Sequence, residues 1–282
     1  MVKIITDSAA DFEPCELRKL DIICIPMRIS FDEKEYRENE NLTKQEFYEL
    51  LESNETFPKT SQPSPSEFEE YLNKFKDAGD ECVIITISSA LSGTYQSAVM
   101  IKDMTEYDNC YVIDSLNATG GERMLVEQAV KLRNSGKSAK EIYDELEELK
   151  GRIKLMACID TLEYLYKGGR LSKTAYTVGS MVNIKPVIKV SDEGKVEVCS
   201  KALSIRQGIK SICDTLTKIN PDTSYPIYVV YSYNRKNADI LVKHLSAKGY
   251  NIPEERIINI GATIGSHVGT NACGYICIAK EN

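Results

Sequence analysis

Ile84-Ile85-Thr86-Ile87-Ser88-Ser89-Ala90-Leu91-Ser92-Gly93-Thr94-Tyr95-Gln96-Ser97-Ala98 decides how the rest of the chain is read. A short β-branched apolar run, the mark of a buried strand, breaks off in a hydroxyl-rich turn. Helical spacing then continues through Ala98, Val99 and Met104. Strand passing straight into helix is the repeating unit of an open α/β sheet, and ligands lie in the crevice at the carboxyl ends of such strands. The unpaired N–H groups of a first helical turn, with Ser and Thr hydroxyls beside them, make an anion site. Ser92 alone is explained as a helix cap. A cap does not need Ser88, Ser89 and Thr94 around it, and that crowding points to a site.

Working outward, strand signals recur at 2–5, 22–29, 83–87, 111–113, 154–158, 184–190, 196–200, 227–231, 257–260 and 275–279, most of them separated by helical patterns. Thr43 with Glu46, Ser64 with Glu67 and Ser138 with Glu141 read as capping boxes, the second with Pro65 in the first helical position. Alternating strands and helices predict a mostly parallel sheet covered on both faces. Two β-rich runs around Asp192-Glu193-Gly194 break the alternation and read as a hairpin. The expected fold is therefore α/β in two units. Residues 1–155 form an α/β domain whose mostly parallel sheet is flanked by helices, and residues 156–282 form a second α/β domain with a mixed sheet. No fixed-period repeat or low-complexity tract interrupts them.

A chain of 282 residues with 42% hydrophobic and 27% charged residues can bury a large core. The net charge of −7, with no Lys/Arg run, argues against nucleic acid as a partner. The chain enters a strand at Val2, so no signal peptide is expected. No apolar run approaches membrane-spanning length, and a cytoplasmic protein is expected. The nine cysteines are odd in number and scattered, and Cys24, Cys82 and Cys158 sit inside apolar runs as small hydrophobes. Cys273 and Cys277 are the closest pair, no CxxC occurs, and His244 and His267 are the only histidines, so a metal site is not expected. G-x-x-x-x-G-K-[ST] and strand-linked G-x-G-x-x-G are missing, which argues against a phosphate loop or dinucleotide cofactor.

Four other turns resemble the first. Thr6-Asp7-Ser8 and Asp11 follow strand one, where an Asx or Ser turn into a helix is the plain reading. Thr60 and Ser61 precede the Ser64 cap and are not explained by it. Asp114-Ser115 ends another strand, with Gly120-Gly121 beyond. Thr263 and His267 lie among the glycines of Gly261–Gly269, whereas His244 sits on a polar helix and reads as solvated surface. In Tyr164-Leu165-Tyr166-Lys167-Gly168-Gly169-Arg170, a Schellman stop accounts for Gly168 and the helix dipole for Lys167. Neither accounts for Gly169 or Arg170, whose guanidinium suits a phosphate or carboxylate. Hydroxyls with one histidine fit the binding of a small anion. A serine hydrolase using Ser89 or Ser92 with His267 and Asp7 or Asp114 has its ingredients present. Its G-x-S-x-G elbow is missing, since Gly265-Ser266-His267-Val268-Gly269 puts His in the central place.

Taken together, Thr6-Asp7-Ser8, Thr60 to Ser64, Ser88 to Ala98, Asp114-Ser115, Tyr164 to Arg170, Ile184 to Val187 and Gly265 to Gly269 resemble the DegV family in order and over nearly the whole chain. The resemblance implies two α/β domains with one fatty acid buried between them, and a carrier that is no enzyme by itself, with no ATP site, cofactor or metal. It further implies a separate ATP-dependent fatty acid kinase subunit that phosphorylates the bound carboxylate, and an acyltransferase that uses the acyl phosphate. Carried over by position, the carboxylate meets Thr60, Ser92 and His267, with Ser61, Ser89, Gly93 and Thr263 adjacent and Arg170 near the mouth. One position departs. Kinase-coupled members carry an arginine after the hairpin where Leu203 stands here, with Arg206 three residues later. A lipid-dependent regulatory protein is the other reading that the resemblance leaves open.

Overall fold

The alternation of strand and helix builds two sheets that face each other across a shared layer of helices. The structure is a computed structural model, and it describes residues 1–179 and 184–281. The first sheet holds β1 (Val2–Asp7), β2 (Ile23–Ile25), β6 (Glu81–Thr86) and β7 (Cys110–Asp114) in the order β2-β1-β6-β7. All its pairings are parallel, with Ile5 opposite Ile84 and Ile85 opposite Ile113. Parallel strands are covered on both faces and so read as continuous apolar runs. The period of two splits those runs. Ile5, Cys82 and Ile84 pack under α3 (Pro65–Asp77) and α4 (Thr94–Met104), while Ile4, Val83 and Ile85 face α5 (Gly120–Asn134) and α6 (Ala139–Lys150).

The second sheet has the order β10-β9-β8-β13-β11-β12. Its strands are β8 (Ile153–Cys158), β9 (Lys185–Val190), β10 (Val196–Ala202), β11 (Tyr228–Tyr231), β12 (Ile257–Asn259) and β13 (Cys273–Ile278). Every pairing is antiparallel except β11 with β12, so the sheet is mixed. Its outer face packs Met156, Cys158 and Val187 against α9 (Ile205–Ile219) and α10 (Lys236–Ala247). Its inner face shares one apolar core with α5 and the first sheet. The expected hairpin is β9–β10, turning at Ser191–Lys195, where the Gly194 N–H reaches the Ser191 carbonyl at 2.9 Å.

A third, small antiparallel sheet, β4-β3-β5, stands beside the first. It comprises β3 (Arg28–Phe31), β4 (Lys34–Arg37) and β5 (Lys59–Ser61) and packs on α2 (Lys44–Ser53). The sequence predicts one strand over 22–29, and the chain instead changes sheets there. Pro26, between β2 and β3, has no N–H to give a ladder. β4 and β5 carry no apolar alternation and were not expected. All three capping boxes form; the Glu46, Glu67 and Glu141 carboxylates accept the cap N–H groups at 2.9, 2.8 and 2.9 Å. All nine cysteines are free thiols. Among the described residues, no helix is long and apolar enough to cross a membrane. Three shorter helices complete the fold around the inner face: α7 (Glu163–Lys167), α8 (Lys173–Gly179) and α11 (Ala262–Val268).

Candidate functional site

Strand order reverses between β1 and β6, and the carboxyl ends of these two strands open on an apolar cavity. Its far wall is the inner face of the second sheet. Leu155 and Ala157 of β8, Ile188 and Val190 of β9, Val196 of β10 and Val230 of β11 line it, alternating with the residues that face α9 and α10. The near wall carries Met27, Ile87, Leu91 and Ala118. α11 closes one side with Thr263, Ile264, His267 and Val268, positions that share a helical face. The few polar lining groups are Thr60, Ser92, Thr119, Arg170, Thr263 and His267. An apolar cavity with a handful of convergent polar groups is the usual form of a small-molecule site.

β5 brings Thr60 to His267, with 2.9 Å between Oγ1 and Nε2. Burial, and then the charge of Arg170, push the imidazole down to about 3, so the ring is neutral. Its Nδ1 is buried without a hydrogen-bond partner and lies against Gly168, where a Cβ would overlap it. A bare lone pair there meets a Cα–H, whereas a proton there would be a stranded donor. The tautomer with Nε2–H is therefore favoured. It donates to Thr60 and leaves the Thr60 hydroxyl proton for a ligand. This also corrects the reading of the glycine pair. The helix stop is Gly169, at φ +76°, with the Arg170 N–H reaching the Leu165 carbonyl at 2.9 Å. Gly168 is in the right-handed region and makes room for the histidine.

Other expected residues divide into those lining the cavity and those beside it. Ser92 lines it and shares a 2.9 Å hydrogen bond with Thr94. Arg170 lines it too, but its guanidinium donates to the backbone carbonyls of Leu91, at 2.8 Å, and Gly168. Thr263 gives its hydroxyl proton to Glu38. Ser61 is exposed on the opposite side of β5. Ser89 is outside the lining, its N–H on Asp114 at 3.0 Å. Gly93 precedes α4 and packs on the Gln62 side-chain amide, which a Cβ there would push aside. Ser88 ties the hairpin down, donating to the Gly194 carbonyl at 2.9 Å. His244 is exposed on α10, as expected.

The hydrolase arrangement is not assembled among the described residues. Asp7 accepts from the N–H groups of Ala9 and Ile87, each at 2.9 Å. Asp114 accepts from those of Ser89 and Leu116. No acid meets His267 Nδ1. Behind the polar groups lies a set of buried carboxylates that sequence reading missed as a unit. Asp11 accepts from Gly261 N–H at 2.8 Å and from Thr119 Oγ1 at 2.5 Å. Glu38 accepts from Ser8 Oγ at 2.7 Å and from both the N–H and hydroxyl of Thr263. Glu122 accepts from Thr6 Oγ1 at 2.9 Å. Burial pushes Asp7 and Asp11 up to about 7, the latter against the opposing charge of Lys44, and raises Glu122 well above the usual carboxylate range. Partners more than two hundred residues apart, such as Asp11 with Gly261, leave no local signal.

Known proteins share this fold. A family model described as "Uncharacterised protein, DegV family" matches residues 1–280. A DegV domain-containing protein of Clostridium acetobutylicum is 33% identical over 281 residues, 99% of each chain. A fatty-acid-binding DegV family protein from Thermus thermophilus superposes with a TM-score of 0.88 at 26% identity, covering 99% of both chains. A stearic-acid-binding protein from Eubacterium ventriosum gives 0.88 at 27% identity, again over 99% of both chains. DegV from Bacillus subtilis, a fatty acid binding protein, gives 0.83 at 28% identity and 99% of both. The chain belongs to the DegV family.

Proposed function

We propose that this chain binds one long-chain fatty acid, its carboxylate at Thr60, Ser92 and His267 and its tail over the inner face of β8, β9 and β10. The observation that carries this is a cavity walled by alternate apolar residues of adjacent strands, with a neutral histidine and a hydroxyl proton-ready at its polar groups. A C16 tail has about fifteen methylene-sized groups at ~0.8 kcal/mol each, so roughly 12 kcal/mol favours burial. Immobilising the ligand offsets several kcal/mol of it. The tail thus sets affinity and the polar groups set orientation. Hydroxyl donors, that of Thr60 turned to the ligand by His267, keep a buried carboxylate ionised and nucleophilic, where an unpaired one would take up a proton.

A finer step belongs to the same proposal. The carrier, without an ATP site of its own, presents the carboxylate to a separate ATP-dependent kinase subunit and holds the acyl phosphate for an acyltransferase, in a cavity that shields the anhydride from water. The sequence motifs support this step and Leu203 weighs against it. That residue is 76% exposed after β10, with Arg206 also exposed on the first turn of α9. We also keep the two-unit reading of the chain but move its division from 155/156, which would cut β8, to the Gly151–Arg152 turn before that strand, because its whole length pairs within the second sheet.

Native mass spectrometry of protein purified from a bacterial host tests the reading. One C14–C18 acid per chain is the expected adduct, and bare protein even after incubation with such acids overturns it. A fluorophosphonate probe is expected to leave the chain unlabelled. Stoichiometric labelling at Ser89 or Ser92 that is lost in His267→Ala establishes the hydrolase instead.

A further inference from the structure

We infer that Glu38 is a positioning residue for the polar end of the cavity: by docking on the N-terminus of α11 it sets where Thr263 and His267 stand against a bound carboxylate. This rests on the fatty-acid reading above. α11 runs only from Ala262 to Val268, and its cap residue, Gly261, brings no side chain. A helix start needs acceptors for its first N–H groups. Here they come from distant segments. Asp11 takes the Gly261 N–H at 2.8 Å, and Glu38 Oε1 takes the Thr263 N–H at 3.2 Å. A Cβ at residue 261 would overlap the Glu38 carboxylate, so the glycine and the acid fit each other.

Glu38 is itself held. Its backbone N–H reaches the Met27 carbonyl at 3.1 Å, and Ser8 Oγ donates to Oε2 at 2.7 Å while accepting from the Met27 N–H at 2.9 Å. Met27 lines the cavity, so the acid ties α11 to the opposite wall. Thr263 and His267 are four residues apart on one helical face, so a shift at the start of α11 carries through to the imidazole.

A second effect follows from proton direction. Thr263 lines the cavity, but its hydroxyl proton goes to Glu38 Oε2, leaving only lone pairs for a ligand. Glu38 thereby turns the lone pairs of Thr263 to the cavity and leaves the carboxylate to Thr60 and Ser92. In Glu38→Ala the freed hydroxyl offsets only part of what a displaced α11 costs, so the net change is a loss of preference for the acid. A purely structural tie would leave the choice of head group untouched.

The test compares palmitate with 1-hexadecanol, equal in tail and different in head, binding to the delipidated full-length protein and its Glu38 variants. Glu38→Ala is expected to lower the preference for the acid about tenfold while hexadecanol affinity stays within about twofold. Glu38→Gln keeps the shape and an acceptor for the Thr263 N–H, and is expected to restore most of that preference. Should Glu38→Ala fail to fold, Thr263→Val cuts the same link from the other side and is expected to lower the preference likewise. Parallel weakening of both ligands, or an unchanged preference in every folded variant, overturns the role of Glu38. A wild-type protein that binds neither ligand overturns the fatty-acid reading itself, and Glu38 falls with it.

Discussion

The two ends of the cavity are built in opposite ways. The apolar wall comes from neighbouring strands of one sheet, where every second residue of β8, β9 and β10 faces inward because the pleat requires it. The polar end draws Thr60 from a three-residue strand, Ser92 from a loop, Arg170 from a glycine turn and His267 from a short helix. Buried carboxylates and backbone carbonyls hold these pieces in place. The apolar wall works through area and tolerates small shifts. The polar end works through the placement of single atoms. Affinity should therefore respond most to the wall, and selectivity to the polar end.

Filling the wall should have the largest effect. Ala157→Phe puts a ring where the tail would lie, and displacing about five methylenes at ~0.8 kcal/mol each weakens palmitate binding about a thousandfold. Calorimetry of the delipidated protein measures it, and unchanged affinity would remove the tail from this wall. Next comes His267→Ala. Without the Nε2–H that turns the Thr60 hydroxyl proton to the ligand, the hydrogen bond from Thr60 to the charged carboxylate, worth about 1.5–3 kcal/mol, is lost, and palmitate binds ten- to a hundredfold more weakly. Hexadecanol binding should hardly change, and equal losses for both ligands would make His267 structural. Gly168→Ala sharpens the same contrast. Its backbone is in the ordinary right-handed region, so the consequence is the overlap with His267 Nδ1 alone. About a tenfold loss is expected for palmitate, within the range of that one hydrogen bond, and again little for the alcohol.

The smallest effect is electrostatic. His267 should titrate near 3 without ligand and move upward once a carboxylate lies beside it, which imidazole resonances in NMR would follow. Stability should also depend on pH. Asp7 and Asp11, raised from 3.8 to about 7, hold protons in the fold that the unfolded chain has released, so their contribution is full below pH 3.8 and lost as pH rises through 7. His267, lowered from 6.5 to about 3, acts in reverse, with its contribution full above 6.5 and lost as pH falls through 3. Two carboxyls outweigh one imidazole. The urea midpoint of the ligand-free protein should fall from pH 5 to pH 7, and a rise would mean that these carboxyls are ionised in the fold.

What the sequence disclosed follows the same division. The sheet strands were legible because burial on both faces writes itself as apolar runs, and the helix starts because a capping box is a local pattern. Ser92, Thr60 and His267 stood out as hydroxyls and a histidine where a cap or core residue was not needed. The strands β4 and β5, on either side of β3, left no mark, since Lys34–Arg37 and Lys59–Ser61 are short, polar runs without apolar alternation. Glu38 and Asp11 look like ordinary surface acids until residues 261–263 fold onto them. The sequence puts the helix stop at Gly168 and leaves Gly169 unexplained for the same reason, because the neighbour that needs Gly168 lies about a hundred residues away.

The most direct test of a fatty acid held by Thr60, Ser92 and His267 is a crystal structure of the protein grown with palmitate. The carboxylate is expected within hydrogen-bond reach of Thr60 and Ser92, with the tail crossing Leu155, Ile188 and Val196. A carboxylate at the other end of the cavity, or an acyl chain lying only in the outer groove between Arg170 and Val198, would contradict it.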